Sequence, residues 1–297
     1  MTTVEGFGPE GAARPAARGG RGRGLRRLPP GAWLAAVLLL AYVAVAAAAP
    51  VISPYSPTQI FVGAPFQPPD GSFWLGTDNL GRDVLSRVLQ GSRTILLTAG
   101  GAAALSAILG GLIGMLLGSI GGAADEIVMR ALEIVMSIPS IIFALLIVGI
   151  VGSSGPLIAV TVGLLAVPNV TRVVRAATQA IAAEEFIAAA RARGETRLSI
   201  VLREILPNVA GTLVVEFSIR TGYAILFIGG LGFLGFGAAP PTPDWGLMVN
   251  EGRGTIDASI WPVAAPAACM AVLVTAVNLF TDGIIRLLGP AEAGRPA

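Results

Sequence analysis

TILLTAGGAAALSAILGGLIGMLLGSIGGAA, residues 94–124, is a run of 31 residues without a single charge. A helix crossing the bilayer needs roughly 20 consecutive, mostly apolar residues, so this stretch supplies one long or tilted span. Small residues recur along it at every fourth position, at Ala102, Ser106, Gly110, Gly114, Gly118 and Gly122. Positions four apart share one helix face, and a stripe of small side chains lets another backbone approach closely inside a membrane. The stripe serves either a partner subunit or packing within the chain.

Working outward, Ala32 to Ile52 gives a first uncharged span. Ile134 to Thr171 is uncharged over 38 residues and is interrupted by Gly152-Ser153-Ser154-Gly155-Pro156, which reads as two spans joined by a tight turn. Val209 to about Ala238 is a fifth span, carrying Glu216 and Arg220, and Ala258 to Thr281 is a sixth. The expectation is an all-α integral membrane protein with six transmembrane helices and both termini on one side.

Composition agrees. Of 297 residues 54% are apolar and only 13% charged, about half the charge of a typical soluble domain. All 20 basic residues are arginine, and there is no lysine or histidine. Lysine chemistry, a P-loop lysine, a serine–histidine couple and a histidine-bound metal are thereby excluded. The single cysteine, Cys269, cannot form an internal disulfide. Six arginines precede the first span, six lie between spans four and five, and Arg130, Arg286 and Arg295 bring that side to 15, against four opposite: Arg82, Arg87, Arg93 and Arg253. The positive-inside rule then places both termini in the cytoplasm.

Residues 1–30, rich in Gly, Arg, Ala and Pro, read as a disordered basic cytoplasmic tail. Residues 31–53 are the first transmembrane helix. A cleavable signal ending near Ala47-Ala48-Ala49 is a competing reading, although the apolar run exceeds the roughly 7 to 15 residues of a typical signal core. Residues 54–92 form an external segment, proline-rich in its first half. Val84, Leu85, Val88 and Leu89 in its second half predict a short amphipathic helix leading into span two. This segment is too small to be a substrate-binding domain. Gly230-Leu231-Gly232-Phe233-Leu234-Gly235 matches the dinucleotide fingerprint only formally, because a span precedes it and Pro240-Pro241 follow. Glu216 and Arg220, four apart with the acid first, form a favourable helix pair near mid-membrane. A charge there costs about 2.5–3.5 kcal/mol on insertion scales. The pair is either self-neutralising in the bundle or beside a hydrated path.

The stretch from Glu185-Phe186-Ile187-Ala188-Ala189-Ala190-Arg191-Ala192-Arg193-Gly194 to Glu204-Ile205-Leu206-Pro207-Asn208 reads as an alanine-rich helix, a glycine turn and a second helix ended by proline. It resembles the EAA motif of ATP-binding-cassette (ABC) importer permeases. Ala189, Ala190, Gly194, Leu206 and Pro207 stand at the motif's spacings, while Ala188 replaces its acid and Glu204 its isoleucine. Leu75 to Arg87, containing Gly76, Thr77, Asp78, Gly81, Arg82 and Asp83, resembles the segment before span two in the second permease of dipeptide, oligopeptide and nickel importers. Gly232 to Gly237 with Pro240 to Gly246, and Asn278-Leu279 with Asp282-Gly283 and Arg286, resemble two further motifs of that family. Gly289 stands where an acid usually precedes the final proline.

The resemblance covers about residues 30 to 290 and implies a type I ABC importer permease fold, with residues 93–290 as the five-helix permease domain and a cytoplasmic coupling loop at 180–208. It implies that Glu185, Ala189, Ala190, Arg191, Gly194, Leu206 and Pro207 couple to the ATPase. The implied partners are a second permease subunit in a heterodimer, one or two ABC ATPases, an external solute-binding protein and membrane lipid, with no nucleic acid, cofactor or metal. It implies a bacterial cytoplasmic-membrane subunit that is not itself an enzyme and that passes peptides, or alternatively a nickel complex. A secondary transporter would show inverted repeats, and none is evident. An intramembrane hydrolase would need a nucleophile with its base, and Asp282 stands alone.

Overall fold

The computed structural model describes residues 30–288; the basic tail, Arg295 and the segment with Gly289 lie outside the described residues. The first helix, α1 (Pro30–Ile52), corresponds to the first predicted span. Its apolar side chains, among them Leu34, Val37 and Leu40, are exposed, as suits a helix facing lipid or another subunit.

The short amphipathic helix expected at 84–93 is not a separate element. It is the first part of α2 (Val84–Ile120), a single helix of 37 residues, about 55 Å long. Asp83 caps it by accepting from Ser86 N–H. Nothing between Val84 and Thr94 interrupts helical bonding, and at Gly91 the indole of Trp245 lies where a Cβ would stand. The predicted span to Ala124 ends four residues early, at Ile120, because Gly121 and Gly122 both take positive φ.

The third predicted span is also corrected. The apolar run from Ile134 is divided between α3 (Gly122–Met136) and α4 (Ser140–Val151), which meet at an angle of 77°. Pro139 lies at the break. Proline lacks the donor a helix interior needs and restricts the residue before it. With 12 residues α4 is about 18 Å long, shorter than the hydrocarbon core. The described chain therefore has five helices long and apolar enough to cross a membrane, and six spans when the bent pair is taken as one.

The turn predicted at Gly152 is present, with φ of 109°. Ser154 caps α5 (Gly155–Ala182), which runs well beyond the predicted end at Thr171. The short α6 (Glu185–Ala192) and α7 (Arg197–Ile200) follow, and α7 passes through a π-helical turn at Val201–Ile205 into α8 (Leu206–Phe233). Pro207 does not end a helix, as its motif suggested; it lies directly after the π-helical turn, inside a helix that runs on from Arg197 to Phe233. The chain closes with α9 (Trp245–Gly252) and α10 (Trp261–Leu288).

The glycine stripe packs within the chain. A Cβ at Gly110, Gly114 or Gly118 would strike α5 near Val170, Thr171 and Thr178 at 2.7–2.8 Å. Two cores result. One lies among α2, α5, α8, α9 and α10 around Ile158, Ile228, Leu231, Trp245 and Leu273. The second gathers Val170, Val174, Ile187, Ala190, Ile200, Val201, Ile205 and Val209 and ties α6 and α7 to the long helices.

Candidate functional site

The sequence-predicted coupling residues sit on α6, the following turn and the start of α8. Ile187 and Ala190 are fully buried in the second core, which fixes α6 by one face. Glu185, Ala189 and Arg191 remain exposed on the other faces. The helix stops at Gly194, whose φ of 80° is one that glycine adopts readily. There Gly194 N–H donates to Arg191 O at 3.0 Å and Glu195 N–H to Ala190 O at 3.3 Å. Arg193 donates to Glu195 and holds that carboxyl below its ordinary range. Pro207 is exposed, whereas Leu206 is half-buried against the second core. Five of the seven residues thus present a surface, and Ala190 and Leu206 hold it in place.

Glu216 and Arg220 do pair. Arg220 Nε and Nη2 both reach Glu216 Oε2 at 3.0 Å, and Glu216 is buried. The Arg220 guanidinium also lies over the Tyr223 ring, 5.7 Å from its centre. Arg220 lines a cavity of about 170 Å³ among α2, α4, α5 and α8, together with Ser106, Ser140, Asn169 and Tyr223. A second cavity of about 230 Å³ shares Ser140, Leu165 and Asn169 with the first and reaches Val135 and Met136 at the α3–α4 break. Sequence gave no sign of Asn169 or Ser140 as cavity residues. Their signal was Pro139, which breaks the apolar run just before Ser140 and opens this space.

The external motif forms one knot. Asp78 Oδ2 accepts from Arg82 Nε and Arg87 Nη1, both at 2.6 Å, and Asp78 Oδ1 accepts from the backbone N–H of Leu80 and Arg82. Glu251, on α9, accepts from the same two arginines at 2.8 and 2.9 Å. Arg82, Arg87 and Asp78 are buried and Glu251 is partly exposed, so two cations and two anions neutralise one another in a knot that meets water only at Glu251. Thr77 bonds Ala64 O and Gln67 N–H, and Gly76 and Gly81 turn the chain around it at positive φ. Arg87 and Glu251 were not singled out in the sequence; 164 residues separate them. Nearby, burial pushes the Asp244 carboxyl up, against backbone N–H groups of Leu247, Ala238 and Gly246 that favour its charged form.

A further pair joins Asp125 of α3 to Arg175 of α5 through both guanidinium nitrogens facing it. The formal dinucleotide fingerprint lacks its strand, since Gly230 to Phe233 close α8.

The family described as binding-protein-dependent transport system inner membrane component matches residues 110–293. The di/tripeptide transport system permease protein DppC of Pseudomonas aeruginosa UCBPP-PA14 is 34% identical over 260 residues, 86% of each chain. The glutathione transport system permease protein GsiD of Pectobacterium atrosepticum is 34% identical over 257 residues, 86% of this chain and 85% of the relative. The dipeptide transport system permease protein DppC of Haemophilus influenzae is 32% identical over 266 residues, 88% of this chain and 90% of the relative. Among solved structures, the inward-facing MetNI methionine ABC transporter superposes with a TM-score of 0.54 at 24% identity, over 68% of this chain and 96% of that one. That likeness concerns the fold.

Proposed function

The chain belongs to the binding-protein-dependent transport inner membrane family, and from that premise we propose that it forms the peptide path of an ABC importer. It is a multi-pass membrane permease subunit and not an enzyme; ATP hydrolysis belongs to separate subunits. The observation that carries the peptide reading is the alignment to di/tripeptide, dipeptide and glutathione permeases, each over more than four-fifths of this chain.

The geometry supports a role for each group of residues that the resemblance pointed to. The exposed surface of α6 with Gly194, presenting Glu185, Ala189, Arg191 and Pro207, docks against the ATPase. Ala190 and Leu206, through the second core, carry its displacement into α5 and α8. Because α8 is one rigid helix from Leu206 onward, motion at its cytoplasmic end reaches Arg220 without an intervening hinge. The cavity beside Glu216 and Arg220 lies on the path. The external knot of Gly76, Thr77, Asp78, Gly81, Arg82 and Asp83 fixes the outer end of α2 against α9, below the docking position of a solute-binding protein. A second permease completes the path in a heterodimer, one or two ATPases sit beneath it, and both termini face the cytoplasm of a bacterial cell.

Reconstitution tests this. Proteoliposomes holding the complete complex, with its binding protein outside and ATP inside, are expected to accumulate labelled dipeptide. Uptake driven by an ion gradient without ATP would overturn the assignment.

A further inference from the structure

Four features converge on the 170 Å³ cavity midway along the bundle. Arg220 is the fifteenth of the 28 residues of α8, so its charge sits near mid-membrane. Its ion pair is one-sided: Nε and Nη2 share a single oxygen of Glu216, and Nη1 has no ion-pair partner among the described residues. Asn169 and Ser140, each with a neutral donor, line the same space. The fourth feature is the start of α4 at Ser140. No side chain caps α4, and Pro139 O takes the N–H groups of Ile142 and Phe143, which leaves those of Ser140 and Ile141 at the open end. The first N–H groups of a helix carry its positive dipole end, and this end opens at the cavity wall. Broken membrane helices present such termini to anionic substrate groups.

The features call for one carboxylate. Glu216 is buried outside the cavity lining and neutralises the charge of Arg220, which lowers the cost of holding the cation in the membrane. It leaves room for a second acceptor on the open edge of the guanidinium, and charge-assisted bonds of this kind are the strong ones. The volume limits what enters. At about 170 Å³ the cavity is smaller than the roughly 300 Å³ of a small-ligand pocket, and its apolar walls, including Val162, Leu165 and Phe227, suit one side chain. The adjoining cavity toward Met136 holds the rest of the molecule.

We propose that this cavity is the subsite for the free C-terminal carboxylate and last side chain of the peptide in transit. Arg220 binds the carboxylate, with Asn169 and Ser140 as neutral donors. The inference rests on the peptide-permease reading. It adds that the permease itself, and not only a binding protein, discriminates against peptides whose C-terminus is blocked.

The test uses the complete complex, purified in detergent without binding protein, with Cys269→Ala removing the native thiol and Ala166→Cys placing one in the cavity wall. Its rate of reaction with a small thiol reagent is followed against added L-alanyl-L-alanine and against the same dipeptide as its C-terminal amide. The acid is expected to protect Cys at 166 and the amide to protect it weakly. In the Glu216→Leu/Arg220→Met background the concentration of acid giving half-protection, read against that variant's own ligand-free labelling rate, rises roughly tenfold to hundredfold. Arg220→Lys, which keeps a charge beside Glu216 and covers the case of a misfolded double variant, gives an intermediate shift. Equal protection by acid and amide, or a half-protection concentration unchanged by both variants, overturns the subsite while dipeptide uptake by the unmodified complex still stands. Loss of ATP-driven peptide uptake by that unmodified complex overturns the peptide reading and the subsite with it.

Discussion

Gly114→Ala places a methyl group where α2 and α5 are closest. The new Cβ would lie 2.8 Å from Thr171 O, 2.9 Å from Arg175 N and 3.0 Å from Val174 Cβ. The first two are backbone atoms, and no rotamer change can clear them. Ordinary contact begins near 3.4 Å, so the helices must separate by about half an ångström, and Gly110 and Gly118 on the same face lose close contact with them. Overpacking of this kind costs about 1–3 kcal/mol. Gly100→Ala is the control: it lies in the same helix, and a Cβ there meets nothing within 4 Å. Both substitutions gain helix propensity of up to about 1 kcal/mol, so that gain cancels in the comparison. The difference between the two variants is the steric cost alone, a factor of roughly 5 to 150 in the unfolding equilibrium. Reversible unfolding of the purified protein in mixed micelles measures it. Equal stability of the two variants would refute the claim that the stripe packs against α5.

Three further outcomes are expected. Glu251→Ala leaves two buried arginines sharing Asp78; because Glu251 is about one-quarter exposed, the loss is discounted from the usual buried-pair value to about 1–3 kcal/mol, and thermal unfolding should show it, with Glu251→Gln milder. Cysteine at Ser72 should react with a membrane-impermeant thiol reagent in intact cells and cysteine at Thr196 should not; the reverse pattern would invert the topology. Gly194→Asn should retain transport, because asparagine visits the left-handed region, and complete loss of uptake by a well-expressed Gly194→Asn protein would argue against the turn as the reason glycine is there.

Most of the spans were legible because uncharged runs of 20 or more residues have few alternatives. The Gly194 turn was legible too, since an alanine-rich helix meeting a glycine and a charged pair has an evident end. Other features required tertiary information. Pro139 and Pro207 look alike in sequence, yet Pro139 divides a span and Pro207 is carried inside one, directly after a π-helical turn. Val84 to Arg93 carries an amphipathic pattern that fits a separate surface helix, yet it is the continuous head of α2, with Trp245 packed onto Gly91. The knot around Asp78 needed Glu251, brought from beyond α8 by the return of the chain. The stripe of small residues gave the face but not its partner, because a partner subunit and α5 ask the same of glycine.

In the proposed function, energy enters at the turn after α6 and reaches the path through α8. Gly194→Val tests it most directly. Within this chain a Cβ at Gly194 meets nothing within 4 Å, so the resistance inside the subunit comes from the φ of 80°. A β-branched residue adopts that conformation poorly. The measurement is ATP hydrolysis and peptide uptake, side by side, in the same proteoliposomes. The prediction is that the variant complex remains in the membrane, uptake is abolished, and the remaining hydrolysis no longer responds to the loaded binding protein. Normal uptake with normally coupled hydrolysis in Gly194→Val would contradict it.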